Sequence, residues 1–493
     1  MGDIDIDKVY SKISDFIDSC QATFLNLAAM KNLSPIYNDN WETDGDLLSC
    51  FNQMVDYINT IGITGLENLT IFQDKGVTPS LFFTVPSNVS GETYTILLYS
   101  HIDKIPFGDK WTKCDPSNPK VIGDALYGRG VSTSMYAIFT ILGMLKTIQE
   151  LQDLPMLMPN IAVLLESSFE SGSPDLVTNL EKVLDIVTIN HVICLDTWGV
   201  TGDHFHYMKS CRGLIQFDLR ITTGLKEVHS GSFGGLIPDP MMVLNNILSN
   251  RVETIEITDA TNVKIPVLEV EVTEDQKAEC QSVVDACGTK IISILPYEGA
   301  SQLIGSKNKD VKEDCITAYI NGALRPSFTI LGFEKMPSIE NASGSLKPDV
   351  NARLCFRTPP SLDVNTGSEQ LMDEITKDPP FNAIIDFPTY EVCSGVDLED
   401  CNNMMTEKMI NCFNGYCEKK IETDSLPLRM ARSLPCLNFL TAKLKDVPIF
   451  MTGAGDTDTG NPRNGDENIS LSKLKDFSTC LTCYVSDYRS YKE

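Results

Sequence analysis

Positive charge is scarce in this 493-residue sequence, in which 40 Lys and Arg residues stand against 67 Asp and Glu residues. The resulting formal net charge of −27 excludes sequence-independent binding to nucleic acids or anionic membranes, because phosphate groups would be repelled. An apolar share of 42% excludes a disordered chain. The length predicts two or three domains and is sufficient to bury a substantial core.

Long hydrophobic runs, internal repeats and targeting signals are lacking as well. The acidic start of the sequence has no basic segment followed by an apolar stretch, and apolar runs such as 136–142 are shorter than a membrane span. The sixteen cysteines are scattered, which predicts free thiols in a reducing compartment. We therefore expect a cytoplasmic protein with no membrane span and no nucleic-acid partner.

Continuous apolar runs between residues 80 and 200 predict strands that are buried on both faces. The runs occupy 96–99, 161–165 and 192–195. Between the first two runs, apolar residues recur on one helical face, at Ile138, Ile141, Leu142, Leu145 and Ile148. Buried strands that alternate with helices predict an α/β domain with a mainly parallel sheet.

The pattern changes to alternation between about residues 214 and 390. Apolar and polar residues alternate over 215–221 and again over 350–357, as in antiparallel strands with one solvated face. Asp239-Pro240, followed by an apolar run, is typical of a helix N-terminus. These signals predict that an α+β domain at 211–394 is inserted into an α/β domain formed by 1–210 and 395–493.

An ionisable residue follows each of the three buried runs, namely His101, Glu166 and Asp196. Sites in open α/β sheets form at the carboxyl ends of strands, so these residues indicate a functional site, with Asp103 and Glu170 close by. The alternative is that they are ordinary polar residues at which strands reach surface loops, an interpretation that suits Glu166 best.

Several motifs occur in a fixed order along nearly the whole chain. They are His101-Ile-Asp103, Tyr127-Gly-Arg-Gly-Val131, Glu166-Ser-Ser-Phe-Glu-Ser-Gly-Ser173, His229-Ser-Gly231 and Asp239-Pro240. Together they resemble the M20 metallopeptidases, specifically the branch of cytosolic non-specific dipeptidases and carnosinases. The resemblance implies an α/β catalytic domain that holds two zinc or manganese ions, and an inserted lid domain through which subunits dimerise.

The resemblance also implies a role for individual residues. In the family, His and Asp ligands hold one ion, a bridging Asp joins it to the second, and a Glu and a C-terminal His complete the second site; these donors suit such ions. On this basis His101 and Asp196 match ligands of one ion, Glu170 matches a ligand of the other, and Asp103 matches the catalytic residue that orients the site. Two residues of the inserted domain match substrate-binding positions: His229 and Arg357.

Three positions depart from the family pattern. Thr133 stands where the bridging Asp is expected, Phe169 where the general base is expected, and Arg463 where the C-terminal His is expected. A neutral hydroxyl is a poor bridge between two dications, and phenylalanine cannot accept a proton. An arginine at 463 would compensate the charge of Glu170 by pairing with it.

The sequence therefore predicts a dipeptidase-like protein that is catalytically inactive and serves as a binding, regulatory or structural subunit, without a metal cofactor. Two alternatives stay open. One is a single zinc or manganese ion on His101 and Asp196. The other is a divergent, active two-metal dipeptidase with ligands relocated to Asp456, Asp458 or Asp466. For partners, the resemblance implies a homo-oligomer formed through the lid domain, or a subunit of a larger assembly.

Overall fold

The chain divides into two units, each of which is described by itself. The structure is a computed structural model that describes residues 4–151, 156–256, 259–293, 303–305, 311–334, 336–398, 404–420 and 424–490. The first unit comprises Met1–Lys209, Leu398–Leu428 and Phe439–Glu493, and the second comprises Ser210–Asp397 and Arg429–Asn438. The segment 429–438 thus belongs to the second unit, whereas the sequence-based division assigned all of 395–493 to the first.

The described helices and strands are numbered along the chain. The α-helices are α1 Ile6–Ala29, α2 Trp41–Asp44, α3 Asp46–Ile61, α4 Tyr136–Glu150, α5 Leu176–Ile186, α6 Ser230–Phe233, α7 Pro240–Ile247, α8 Glu274–Cys287, α9 Lys290–Ser293, α10 Val311–Ala323, α11 Val364–Thr376, α12 Met404–Lys420, α13 Pro435–Lys443 and α14 Leu471–Ser486. The strands are β1 Glu67–Phe72, β2 Ser80–Val85, β3 Thr95–His101, β4 Lys120–Ile122, β5 Ala125–Tyr127, β6 Asn160–Glu166, β7 His191–Leu195, β8 Trp198–Gly199, β9 His206–Cys211, β10 Gly213–Thr222, β11 Val228–His229, β12 Thr254–Glu256, β13 Asp259–Lys264, β14 Ser327–Glu334, β15 Ser345–Leu346, β16 Asp349–Thr358, β17 Ile384–Cys393, β18 Val396–Asp397, β19 Leu426–Met430, β20 Ile449–Thr452, β21 Gly455–Asp456 and β22 Asn468–Ser470.

The first unit is built on a mixed sheet whose central strands are parallel, as the sequence predicted. Strands β6, β3, β7 and β20 are adjacent and parallel, and β2 and β9 extend this core with antiparallel pairing. Every residue of β3 and β7 is buried, which explains why these strands read as continuous apolar runs. The parallel core places the carboxyl ends of its strands at one edge of the sheet.

Helix α4 differs from the expected one-sided amphipathic helix, because it is buried on nearly all sides. It packs against α1 and α14. Among the described residues, one helical stretch is long and apolar enough to cross a membrane by length and composition alone: Val131–Glu150, with a mean hydropathy of 1.4. The expectation that the chain has no membrane span rested on residues 136–142 alone, a segment that is too short to cross a membrane. Because 94% of the apolar window is buried within the protein, the helix has the surroundings of a core helix.

The second unit contains an antiparallel sheet of strands β14, β16, β10 and β17. Strands β10 and β16 pair without interruption from Gly213 opposite Thr358 to Thr222 opposite Asp349. The alternating apolar residues of both strands are buried in one core with residues of α7 and α11. The side chain of Asp239 accepts a hydrogen bond from the backbone N–H of Met241, so α7 begins with the predicted cap.

His191 is a fully buried histidine of strand β7 whose two ring nitrogens both lack a hydrogen-bond partner. Burial lowers its pKa to about 3, so the folded protein keeps the ring neutral while the unfolded chain takes up a proton below about pH 6.5. Stability from this residue is therefore lost as the pH falls below 6.5, by at most about 1.4 kcal/mol per pH unit.

We expect His191→Leu to remove this acid sensitivity and to leave stability at pH 7 unchanged or higher, because an orphaned buried polar group is replaced by an apolar one. The measurement is the melting temperature of variant and wild type between pH 4 and pH 8 at matched ionic strength. His204→Leu, at a less buried histidine, is the matched control. A constant difference between His191→Leu and wild type across this range would contradict the prediction.

Candidate functional site

Three ionisable side chains meet at the carboxyl ends of the parallel strands, as the sequence led us to expect. His101 ends β3 and lies directly opposite Glu166, the last residue of β6. Asp196 follows β7, the neighbour of β3 on its other side. All three residues are at most 1% exposed. Glu166 is therefore buried and does not lie at a surface loop. The interpretation of Glu166 as an ordinary polar residue where a strand reaches such a loop is wrong.

His101 lies between two carboxylates. Its Nδ1 is 3.1 Å from Asp103 Oδ1 and its Nε2 is 3.4 Å from Asp196 Oδ1. Burial alone would lower the pKa of His101, but the Asp196 and Asp103 carboxylates outweigh burial and raise it to about 10. The imidazolium itself supplies positive charge to the two aspartates.

Asp103 organises the neighbouring turn. Its carboxylate accepts hydrogen bonds from the backbone N–H groups of Phe169 (3.1 Å) and Glu170 (2.9 Å), which belong to the short helical turn Phe169–Ser171. Burial opposes ionisation of Asp103, but the hydrogen bond from His101 and the backbone donors hold its pKa below the usual value. Asp103 therefore connects the imidazole to the turn that carries positions 169 and 170.

Phe169 packs directly on the imidazole of His101. The two ring centroids are 4.1 Å apart and the ring planes differ by 6°. Phe169 is 7% exposed, so its ring fills buried space beside the imidazole of His101. A cationic imidazole over an aromatic face is also favourable, by about 0.5–2 kcal/mol.

Arg463 pairs with Glu170. Its Nη2 lies 2.8 Å from each of the two carboxylate oxygens of Glu170. The Glu170 side chain is 7% exposed and that of Arg463 is 34% exposed. Burial raises the pKa of Glu170, and the guanidinium opposes this rise. The contact that the sequence suggested is thus present, and it gives the buried carboxylate of Glu170 a cationic partner.

The loop that carries Arg463 is anchored on both sides. The carboxylate of Asp466 accepts hydrogen bonds from the backbone N–H groups of Thr112 and Lys113 at 2.7 and 2.8 Å. Glu467 is fully buried and accepts a hydrogen bond from Arg129 at 2.8 Å. Arg463 itself adopts the left-handed backbone region, with φ of 65°, which a non-glycine residue keeps only where its surroundings enforce it.

Thr133 is buried in a π-helical turn, Val131–Met135, at the start of α4. Its hydroxyl donates to the carbonyl of Gly130 at 3.3 Å, so the side chain is engaged locally. Single π-turns often occur at functional sites, but a hydroxyl contributes no negative charge for bridging two cations.

Two of the acids that we considered as relocated ligands have other partners. Asp456 binds Thr459 and forms an ion pair with Lys473, and Asp466 holds the loop of Thr112. Glu166 accepts hydrogen bonds from the hydroxyls of Tyr99, Ser168 and Ser173. Burial raises the pKa of Glu166 to about 7. The part of the chain that the structure describes contains no group of three or more His, Cys, Asp and Glu residues able to hold a metal ion.

The donor set of this centre therefore does not fit a pair of metal ions. Neither the threonine, the phenylalanine nor the arginine at the three altered positions offers an anionic oxygen or a neutral nitrogen donor. The negative charge of the centre is instead partly offset within the protein, by the imidazolium between two aspartates and by the guanidinium on Glu170.

The two residues that match substrate-binding positions lie in the second unit. His229 is exposed and caps helix α6, with its Nδ1 accepting from the backbone N–H of Gly231 at 3.1 Å. Arg357, on β16, donates from Nη1 to the hydroxyl of Ser433 at 2.8 Å. Ser433 in turn donates to the carbonyl of Gly213 at 2.8 Å, so this arginine is held against a loop of its own unit.

Sequence reasoning missed two supports of the centre. The guanidinium of Arg463 lies 5.5 Å from the ring centroid of Trp198, a cation–π contact from strand β8. Ser171, in the turn after Phe169, shares a 2.6 Å hydrogen bond with Ser34. Neither partner carries a motif, and the residues are far apart in sequence, so only the fold brings them together.

Comparisons with known proteins agree with this architecture. No family model matches the chain. It is 26% identical over 307 residues to a cysteinylglycine-S-conjugate dipeptidase of Corynebacterium striatum, covering 60% of each chain. It is 24% identical over 348 residues to a Cys-Gly metallodipeptidase of Candida albicans, covering 66% of this chain and 67% of that protein. The chain therefore spans about two thirds or less of these relatives.

Solved structures share the fold over nearly the whole chain. Human carnosine dipeptidase 1 superposes with a TM-score of 0.70 at 16% identity, covering 98% of this chain and 99% of that one. An M20 family metallo-carboxypeptidase of Sulfolobus solfataricus gives a TM-score of 0.69 at 17% identity, covering 95% and 98%. The sequence relatives, which are dipeptidases, and the fold shared with M20 peptidases together support an M20 dipeptidase-type protein.

Proposed function

We propose that this chain is a non-catalytic member of its family, which has kept the dipeptidase fold as a binding or regulatory subunit. The proposal rests on one observation: Arg463 is hydrogen-bonded to the carboxylate of Glu170, while the ring of Phe169 stacks on the imidazole of His101. A hydrolytic mechanism needs a base to activate water and cations to stabilise the developing oxyanion. Phe169 cannot accept a proton, and the guanidinium of Arg463 is engaged with Glu170 and does not activate a bound water molecule as a metal ion does.

The charge balance supports the same proposal. A vacated metal site would leave buried carboxylates without a counter-ion, which is costly. Here the imidazolium of His101 and the guanidinium of Arg463 supply two positive charges for Asp103, Asp196 and Glu170. A centre whose own side chains offset most of its negative charge has less need of a metal ion.

The test is hydrolysis of Cys-Gly and of β-Ala-His by the purified chain, with Zn²⁺ or Mn²⁺ added, together with metal analysis of the protein as purified. We expect no turnover above that of the His101→Ala variant, and fewer than two ions per chain. Any contaminating peptidase would act equally in both preparations, so the variant is the matched control. Turnover by wild type that His101→Ala abolishes would refute the proposal and favour the divergent active dipeptidase.

Metal analysis also decides the intermediate alternative. One tightly held ion per chain, lost in Asp196→Ala, would indicate a single structural zinc or manganese ion on His101 and Asp196. The observation that supports this alternative is the 3.4 Å distance between the two candidate ligand atoms, His101 Nε2 and Asp196 Oδ1.

The cellular setting is part of the proposal. Fourteen cysteines whose side chains the structure describes are free thiols, which favours the reducing cytoplasm. Self-association through the second unit, or membership of a larger assembly, stays a prediction from the family resemblance. Light scattering of the purified chain tests self-association, and a monomeric mass would count against it.

A further inference from the structure

The first unit contains a cavity whose lining residues are separate from those of the centre around His101. It measures about 310 Å³ and lies between the loop at Thr201–Phe205, the loop at Gly453–Gly455 and helix α14. Small-molecule sites begin at about 300 Å³, whereas one water molecule needs only about 30 Å³. The cavity is thus large enough for a small metabolite and too small for a protein segment of any length.

Two buried polar atoms at this cavity have no hydrogen-bond partner. Thr201 is 4% exposed and His206 is 3% exposed, and both residues line the cavity. Thr201 Oγ1 and His206 Nε2 each lack a partner within the protein. Buried polar groups are satisfied in most native proteins, so orphaned atoms beside a cavity of this size point to a ligand that satisfies them.

The His206 ring presents an acceptor to the cavity. Burial lowers its pKa to about 4, which keeps the ring neutral, and it is hydrogen-bonded to the backbone of Thr197. Because Nε2 has no partner, that bond involves the other ring nitrogen. A neutral imidazole whose first nitrogen binds a carbonyl offers a lone pair at the second. The ligand must therefore donate a hydrogen bond there.

Charges of both signs line the same small volume. Lys473 contributes an ammonium group that is 3.6 Å from Asp456 and whose side chain is 32% exposed. Asp203 and Asp476 contribute carboxylates. A cavity with one cation and two carboxylates suits a molecule that itself carries both charges, since each end then faces its opposite.

Close backbone packing fixes the shape of the cavity. A Cβ atom added to Gly202 would lie 1.6 Å from Lys473 Nζ and 2.7 Å from Asp456 Oδ2. A Cβ atom on Gly455 would lie 2.3 Å from the carbonyl oxygen of Ser132. At Gly455 the neighbouring atom belongs to the backbone, so this wall tolerates no side chain, whereas at Gly202 the neighbours are the ends of side chains that can move.

We propose that this cavity is a binding site for a small zwitterion, of the size and chemistry of a free α-amino acid. The ligand ammonium donates to His206 Nε2 and Thr201 Oγ1 and is favoured by the carboxylates of Asp203 and Asp476, and the ligand carboxylate accepts from Lys473. This inference does not depend on whether the degenerate centre hydrolyses peptides.

The test uses the full chain and the twenty standard L-amino acids as probes. Each is added at about 10 mM in a thermal-shift experiment, a concentration that reports millimolar or tighter binding. The strongest probe is then titrated calorimetrically beside its carboxamide, which lacks the carboxylate, and its N-acetyl derivative, which lacks the ammonium. We expect at least one amino acid to bind, and both derivatives to bind at least about tenfold more weakly.

Substitutions of residues that line the cavity test whether the amino acid binds there. Thr201→Val keeps the shape and removes an orphaned hydroxyl, so it should not lower the melting temperature, and it should weaken binding about fivefold. Lys473→Met should weaken binding at least about tenfold. Two control variants in the second unit should leave binding unchanged. Thr223→Val removes a hydroxyl that also lacks a hydrogen-bond partner, and Arg357→Met changes the residue that matches a substrate-binding position of the family.

Three results would overturn the inference: no shift with any of the twenty amino acids, unaltered affinity in both Thr201→Val and Lys473→Met, or equal binding of the N-acetyl derivative. Loss of binding in Arg357→Met alone would assign the amino acid to the other site. None of these results bears on dipeptide hydrolysis, so the inference and the proposed function fail separately.

Discussion

Replacing Arg463 by alanine should lower the stability of the protein by about 2–3 kcal/mol. Breaking a fully buried ion pair costs about 3–5 kcal/mol, because a charge is left without its partner. The cost here is smaller, since the guanidinium is one-third exposed and water screens it, while Glu170 stays almost fully buried. Thermal unfolding measures the effect, with an expected fall of roughly 2–5 °C.

A second substitution separates loss of the ion pair from loss of packing. Glu170→Gln removes the buried charge, so Arg463→Ala combined with Glu170→Gln should recover more than half of the lost stability. Arg353→Ala is the matched control, because Arg353 pairs with Asp218 at the surface and its side chain is 50% exposed. That change should cost less than about 1 kcal/mol. A double variant no more stable than Arg463→Ala alone would show that the pair does not balance a buried charge.

Restoring the three altered positions should create a zinc site. We expect the combination Thr133→Asp, Phe169→Glu and Arg463→His to bind two zinc ions per chain, because it returns an anionic bridge, a carboxylate and a neutral nitrogen donor beside His101, Asp196 and Glu170. Without metal this variant should be less stable than wild type, since Glu170 loses its guanidinium. Zinc at about a thousand times its dissociation constant should then stabilise it by about 4 kcal/mol.

The neutral counterparts Thr133→Asn, Phe169→Gln and Arg463→Gln provide the matched control for that variant. They have similar shapes but offer neither carboxylates nor an imidazole, so zinc should leave their melting temperature nearly unchanged. Calorimetric titration with zinc measures stoichiometry in all three proteins. Two tightly bound ions in the wild type, or none in the restored variant, would contradict a centre whose metal binding was lost through these three positions.

The cavity beside His206 and the centre around His101 illustrate different limits of sequence reasoning. His101, Asp103, Glu170 and Asp196 lie in motifs, and their meeting at one sheet edge follows from strand order. Thr201, His206 and Lys473 carry no motif and come from separate parts of the chain. Their orphaned atoms and opposite charges become visible only when the loops and helix α14 are in place.

Local pattern determined much of the fold in advance. Buried apolar runs predicted the central parallel strands, because a strand covered on both faces has no polar side, and alternation predicted β10 and β16, because one face of each is solvated. The burial of α4 on all sides was not predictable from its sequence, since an apolar helix in a core and one in a membrane have the same composition.

By itself the sequence determined the family motifs, the three altered positions and the excess of negative charge. The sequence also suggested the pairing of Arg463 with Glu170, whereas the tertiary structure alone revealed the stacking of Phe169 on His101 and the cation–π contact of Trp198 with Arg463. The physical reason is that the residue type at a given position can be read from the sequence alone. The compensation of a buried charge depends on distances between residues hundreds of positions apart, which only the fold determines.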